Sequence, residues 1–281
     1  MLNLIRSDFY KLKKAKYFWI CMAIAIALAI GTIFLLDFTY KMQGELMSVQ
    51  KEQQQSGLDE AGMNLSLEGF PDSKEDLTAS NQLLSFFSGN ITLLLAVLIS
   101  LFAGSEFNNG TIKNIATKNY SRGKIYLSKL FTSILVSIIL TLIFVLVSTV
   151  TATFLWGFGD VSSGYWKDTL AAAGIELLLI SAFASIFVMF SMIIRQNGGS
   201  LAVNICFLEF TSLVVMIGEM LLKKITGKTF LLSDYLLDTN MLAVCRDPGS
   251  SSMIRGAAVG SLFLAATVVI GMWNFSKRDI K

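Results

Sequence analysis

The sequence predicts an all-α integral membrane protein. Six helices span the bilayer, a basic helix precedes them, a short helix sits in the loop after span two, and re-entrant helices lie between spans five and six. Three observations carry this. Apolar residues make up 54% of the chain and charged ones only 15%, too little charge to cover a water-soluble surface of this length. Six apolar runs are long enough to cross about 30 Å of hydrocarbon at about 1.5 Å per residue. Fourteen of the 23 lysines and arginines gather in alternate connections, in keeping with the positive-inside bias. The runs lack the period-2 alternation of barrel strands.

At the start, Leu2, Ile5, Phe9 and Leu12 recur at helical spacing while Arg6, Lys11, Lys13 and Lys14 take other faces. Residues 1–16 therefore read as an interfacial helix on an anionic leaflet. Span one is expected at Tyr17–Leu36 and is too long for a signal peptide. An acidic outer loop, 37–82, follows, with Lys41, Lys51 and Lys74 against nine Asp and Glu. Its MSVQKEQQQSGLDE stretch reads as a polar helix or a mobile tract.

Span two is expected at Leu83–Ala103. The next stretch, Glu106 to Lys129, holds Lys113, Lys118, Arg122, Lys124 and Lys129 against the single acid Glu106, which assigns it to the cytoplasm. Within it Asn108, Asn109 and Gly110 make a turn. Thr111 is the expected N-cap of a short helix with Ile112 and Ile115 on one face and Lys113 at its edge. Span three, Leu127–Trp156, is long enough to tilt or to project below the bilayer. It is rich in hydroxyls that either bond back to their own helix or line a polar surface.

Span four is expected at Leu170–Ile194 and span five at Leu201–Leu222. Glu209 lies mid-span in the fifth, where an ionised group costs about 2.5–3.5 kcal/mol even on the lenient insertion scale. It is expected to face the bundle interior or a wet cavity, with Ser212 one turn on. Glu176, two turns into span four, and Glu219, near the outer end of span five, are expected to lie closer to water. Together Glu209, Glu176 and Ser212 form the candidate translocation path.

Residues 223–253 depart from the positive-inside bias: Lys223, Lys224, Lys228 and Arg246, with Arg255 just beyond, fall on the assigned outer side among many apolar side chains, and the segment reads as helix dipping into the outer interface. Span six, Gly256–Phe275, opens with Gly256-Ala-Ala-Val-Gly260, a GxxxG pattern that permits close helix approach. Both termini are then cytoplasmic in a multi-pass protein, and the chain forms one transmembrane domain over 1–281. Cys21, Cys206 and Cys245 are expected to be packing residues.

Much chemistry is excluded. No GxxxxGK[ST] is present, so the chain has no P-loop for a nucleotide. Histidine is absent, which removes HExxH, His-based triads and most zinc sites, and GxSxG is missing. No catalytic, cofactor or metal residue is expected.

The series Glu106, Gly110-Thr111-Ile112-Lys113, Ser121-Arg122 and Ile125-Tyr126-Leu127-Ser128-Lys129 resembles the segment between spans two and three of ABC type-2 exporter permeases. So do the basic first helix, the large loop after span one, the helices between spans five and six, and the tail Phe275-Ser276-Lys277-Arg278-Asp279-Ile280. In that family the segment, here 104–126, is a coupling helix docking into a separate ATPase. The resemblance implies a role for Glu106, Gly110, Thr111, Ile112, Lys113, Ile115 and Arg122 in ATPase coupling. It implies two ABC ATPase subunits carrying ATP and Mg, a second permease, identical or homologous, and a bacterial cell membrane. Bacitracin- and lantibiotic-resistance permeases share this layout, and imply a hydrophobic peptide or lipid-like substrate. No nucleic-acid partner is expected. Two other readings stay open: a non-transporting scaffold or sensor, and an ion-coupled transporter using Glu209.

Overall fold

A computed structural model describes residues 2–54, 77–88, 91–108, 110–111, 121–227 and 231–277. Among them there is no strand. The helices are α1 (Leu2–Lys14), α2 (Lys16–Gln54), α3 (Ala79–Gln82), α4 (Ile91–Asn108), α5 (Arg122–Trp156), α6 (Tyr165–Ile194), α7 (Asn197–Thr226), α8 (Leu237–Arg246) and α9 (Ser250–Lys277), with a 3₁₀ turn at Ser233–Tyr235. Six of these, α2, α4, α5, α6, α7 and α9, are long and apolar enough to cross a membrane.

α6 lies at the centre: 72% of its most apolar window is buried, against 6% for α7. The GxxxG pair explains how α9 reaches α6. A methyl group on Gly256 would sit 3.2 Å from Ile175 and Val244, and one on Gly260 3.2 Å from Leu179. The glycines thus serve contacts inside the chain, where the absent side chains let two helix backbones approach.

Several boundaries differ from expectation. α2 runs on to Gln54, so the first part of the expected 37–82 loop is helix. Asp37 pairs with Lys41 one turn later at 2.6 Å and accepts the Trp156 indole N–H at 3.2 Å, supporting helical continuation past the apolar run. The apolar stretch assigned to the start of span two is turn over residues 83–88. Thr78 caps the short α3, and Phe86 and Phe87 are buried in the core shared with the long helices; the span begins at Ile91. α5, α6, α7 and α9 each begin four to six residues earlier than expected.

α1 also presents a different face. Leu4, Asp8 and Leu12 are the buried positions, an i, i+4, i+8 stripe, while Leu2 is exposed. An acid therefore sits at the centre of the face turned to the protein. The end of the bundle that carries α1 is called the near end below, the other the far end.

Candidate functional site

At the near end three helices meet around one buried cation. Lys129, in the second turn of α5, places Nζ 2.5 Å from Asp8 Oδ1 of α1 and 2.6 Å from Glu106 Oε1 at the end of α4. Its side chain is 2% exposed. Ser128 donates to the other Asp8 oxygen at 2.7 Å, and Lys11 Nζ reaches Glu106 Oε1 at 2.9 Å. The Phe102 ring lies 4.6 Å below Nζ. Two acids and two bases balance, which is what allows such charges to be buried.

The surrounding helix ends are tied as well. Arg122 donates to the Ser276 carbonyl at 3.2 Å, and the Tyr126 hydroxyl to the Thr267 carbonyl at 3.3 Å, joining α5 to α9. Tyr126 lies against Gly271, where even a methyl group would overlap its ring. Arg195, in the left-handed conformation that ends α6, stands over the Phe107 and Phe275 rings at 5.8 and 6.0 Å.

Of the expected coupling residues, Glu106, Gly110, Thr111 and Arg122 are placed; Ile112, Lys113 and Ile115 lie outside the described residues. Glu106 is buried in the ion cluster. Gly110, at φ +65°, donates its N–H to the Phe107 carbonyl at 3.1 Å and turns the chain out of α4. Only glycine takes that conformation cheaply. The Thr111 hydroxyl donates back to the Glu106 carbonyl at 3.4 Å, so the observed bond closes the end of α4. Asp8 and the pairing of Lys129 were missed. The signal available was an acid on an otherwise basic helix, four residues from Leu4 and from Leu12.

The membrane acids are arranged differently from expectation. Glu209 lies on the exposed face of α7, at the rim of a cavity of about 270 Å³ shared with Ser88, Thr92, Asp238 and Met241. Phe183 and Leu208 line the same cavity. Ser212 donates to Asp238 at 2.5 Å, so it joins that acid rather than Glu209. Glu176, expected near water, is fully buried; the Cys245 thiol donates toward it at 3.4 Å and to the Leu84 carbonyl at 3.0 Å. Burial, then the neighbouring Glu176, pushes the Cys245 thiol well above its ordinary range. Cys245 is thus a hydrogen-bonding residue, Cys206 is exposed, and Cys21 is the buried packing residue of the three. Glu219 accepts the Ser233 N–H at 2.6 Å.

The polar residue that joins helices inside the bundle is Asn204, which sequence reading passed over. Its amide donates to Ser100 of α4 at 2.7 Å and to the Phe187 carbonyl and Ser191 hydroxyl of α6 at 3.3 Å. On α5, Thr149, Thr151 and Thr153 bond back to their own helix. Thr132, Ser133, Ser137, Thr141 and Ser148 are buried with no hydroxyl partner among the described residues. Among the described residues no three Cys, Asp or Glu gather as a metal site.

A family model described as a protein of unknown function (DUF2705) matches residues 46–281. No curated protein matches the chain.

Proposed function

The chain belongs to the DUF2705 family of proteins of unknown function, and on its resemblance to ABC type-2 exporter permeases we propose that it is the membrane-spanning subunit of an ATP-driven ABC exporter. A partner ATPase supplies ATP hydrolysis, with two such subunits serving two permease chains, identical or homologous. The near end faces the cytoplasm of a bacterial cell, and the substrate is a hydrophobic or amphipathic peptide or a lipid-like compound.

The observation that carries this reading is the Glu106–Lys129 pair. It bridges the last turn of α4 and the second turn of α5, the two helices between which residues 109–121 emerge. A partner gripping Ile112, Lys113 and Ile115 would push on a base that cannot splay, because the pair and Asp8 hold the feet of spans two and three together. Force then passes to both spans and to α1 as one body. The family resemblance supplies the kind of partner, and the missing P-loop supplies the need for one.

Copurification tests it. Expressed with ATPases encoded beside its gene, the chain should retain one and stimulate its ATP hydrolysis. Ile112→Asp with Lys113→Glu should abolish both. A complex that survives this double change removes the coupling role.

A second reading has its own observation, since Glu209 and Asp238 rim one cavity open to the membrane face of α7. In an ion-coupled carrier these acids would take the coupling cation or proton. Transport should then proceed without ATP and fail in Glu209→Gln; ATP dependence with normal transport by that variant rules it out.

A further inference from the structure

At the near end a second feature is independent of the coupling cluster and of the transport reading. α1, the start of α2 and the lower half of α5 enclose a groove of about 360 Å³, lined by Phe9, Lys13, Phe18, Trp19, Val136 and Ile139. Its wall is set by a hydrogen bond, because the Trp19 indole N–H donates to the Lys13 carbonyl at 2.8 Å and so holds the turn between α1 and α2. The groove is open to the side, with Trp19 52% and Ile139 46% exposed.

Its two ends differ in chemistry. Lys13 stands at one end, beside Lys14, whose ammonium lies 4.8 Å over the Tyr10 ring. Asp8 and Lys11 spend their charges on Lys129 and Glu106. Arg6, Lys13 and Lys14 of α1 and Lys16 at the start of α2 have no acidic partner among the described residues, so every exposed charge on α1 is positive. The other end is apolar. Val136 and Ile139 of α5 wall that end, facing Phe18 and Trp19 at the start of α2.

A cationic mouth above a long apolar slot with one lateral opening fits a molecule with an anionic head and an alkyl tail. We propose that this groove is a binding site for an anionic phospholipid of the leaflet on which α1 lies, its phosphate held by Lys13 and Lys14 and one acyl chain laid along Phe18, Trp19, Val136 and Ile139. The occupant is a single lipid held in register with α1, distinct from the general attraction of a basic helix to a charged surface. The ammonium groups near the surface supply the preference for charge, and burial of the tail supplies the rest.

The Trp19 ring reports on it directly. With Trp156, Trp166 and Trp273 changed to Phe, the full chain is reconstituted in phosphatidylcholine containing increasing amounts of acyl-brominated phosphatidylglycerol or acyl-brominated phosphatidylcholine. Brominated phosphatidylglycerol should half-quench Trp19 at about a thirtyfold lower mole fraction, as two engaged lysines at about 1 kcal/mol each imply. Lys13→Gln with Lys14→Gln should erase the difference. Equal quenching by both lipids, or a preference that survives the double change, overturns the proposal. Native mass spectrometry of the unsubstituted chain gives the same decision without the tryptophan changes. Phosphatidylglycerol should remain bound in preference to phosphatidylcholine, and should be lost in Lys13→Gln/Lys14→Gln; equal retention of the two lipids overturns the site.

Discussion

Replacing Lys129 by Met keeps the length and apolar stem of the side chain and removes only its charge. Two carboxylates then face the same pocket, Asp8 with Ser128 alone and Glu106 with Lys11 alone. Because the lysine is 2% exposed and its partners 3% and 6%, water does not screen the loss. Removing one partner of a buried pair costs about 3–5 kcal/mol, roughly two to four orders of magnitude in the folded-to-unfolded ratio. In detergent, fluorescence-detected melting of the purified chain should show a fall on the order of 10 °C. Adding Asp8→Asn and Glu106→Gln to Lys129→Met should restore most of it, since a neutral set leaves no orphan charge. A Lys129→Met protein that melts within about 1 °C of the parent would refute the reasoning, and so would a triple variant no better than the single one.

The other predictions concern packing and access. Asn204→Leu deletes bonds to α4 and α6 and should lower stability by about 1–2 kcal/mol in the same melt; an unchanged melting point would show that the amide is dispensable. Gly271→Val should collapse folded yield by driving into Tyr126, with partial recovery in Gly271→Val/Tyr126→Ala, whereas an undiminished single variant would contradict the contact. Gly260→Leu should lower folded yield without altering self-association by crosslinking, because that glycine contacts Leu178 and Leu179 of its own chain. Maleimide should label Cys206 quickly and Cys245 hardly at all. Raising the pH toward 9 should leave Cys245 slow, because its raised thiol pKa keeps the thiolate, the reacting species, scarce; rapid labelling there would mean its helix opens.

Six membrane-length helices could be read from the sequence because each apolar run exceeds what a soluble core needs, and the basic connections order them. The boundaries were less legible. Leu83, Leu84, Phe86 and Phe87 are as apolar as a span, yet tertiary burial of a capped turn absorbs them. Asp37 ends the apolar run without ending the helix, since Lys41 and Trp156 satisfy it. Glu209 drew attention because a mid-span acid is costly in lipid, but cost alone does not say which face the helix presents. Asn204, one and a half turns earlier, carries no charge and so gave no comparable signal while making the interhelical bonds. At the near end the basic loop was visible and Glu106 was noticed. That Lys129 would be buried depended on Asp8, over a hundred residues away in sequence, and no local pattern pairs them.

Asp8 and Lys129 stand 121 residues apart, which at about 5–20 residues per second is roughly 6–24 s of synthesis. Throughout that interval the first helix leaves the ribosome carrying an acid whose partner does not yet exist. The acid must stay hydrated until then. Only when the foot of α5 arrives does docking α1 become favourable, so this contact waits for the start of the third span. A nascent chain truncated before Lys129 should therefore leave α1 accessible to protease, and one extended past α5 should protect it. The cluster at the near end thus records the order in which the protein is built.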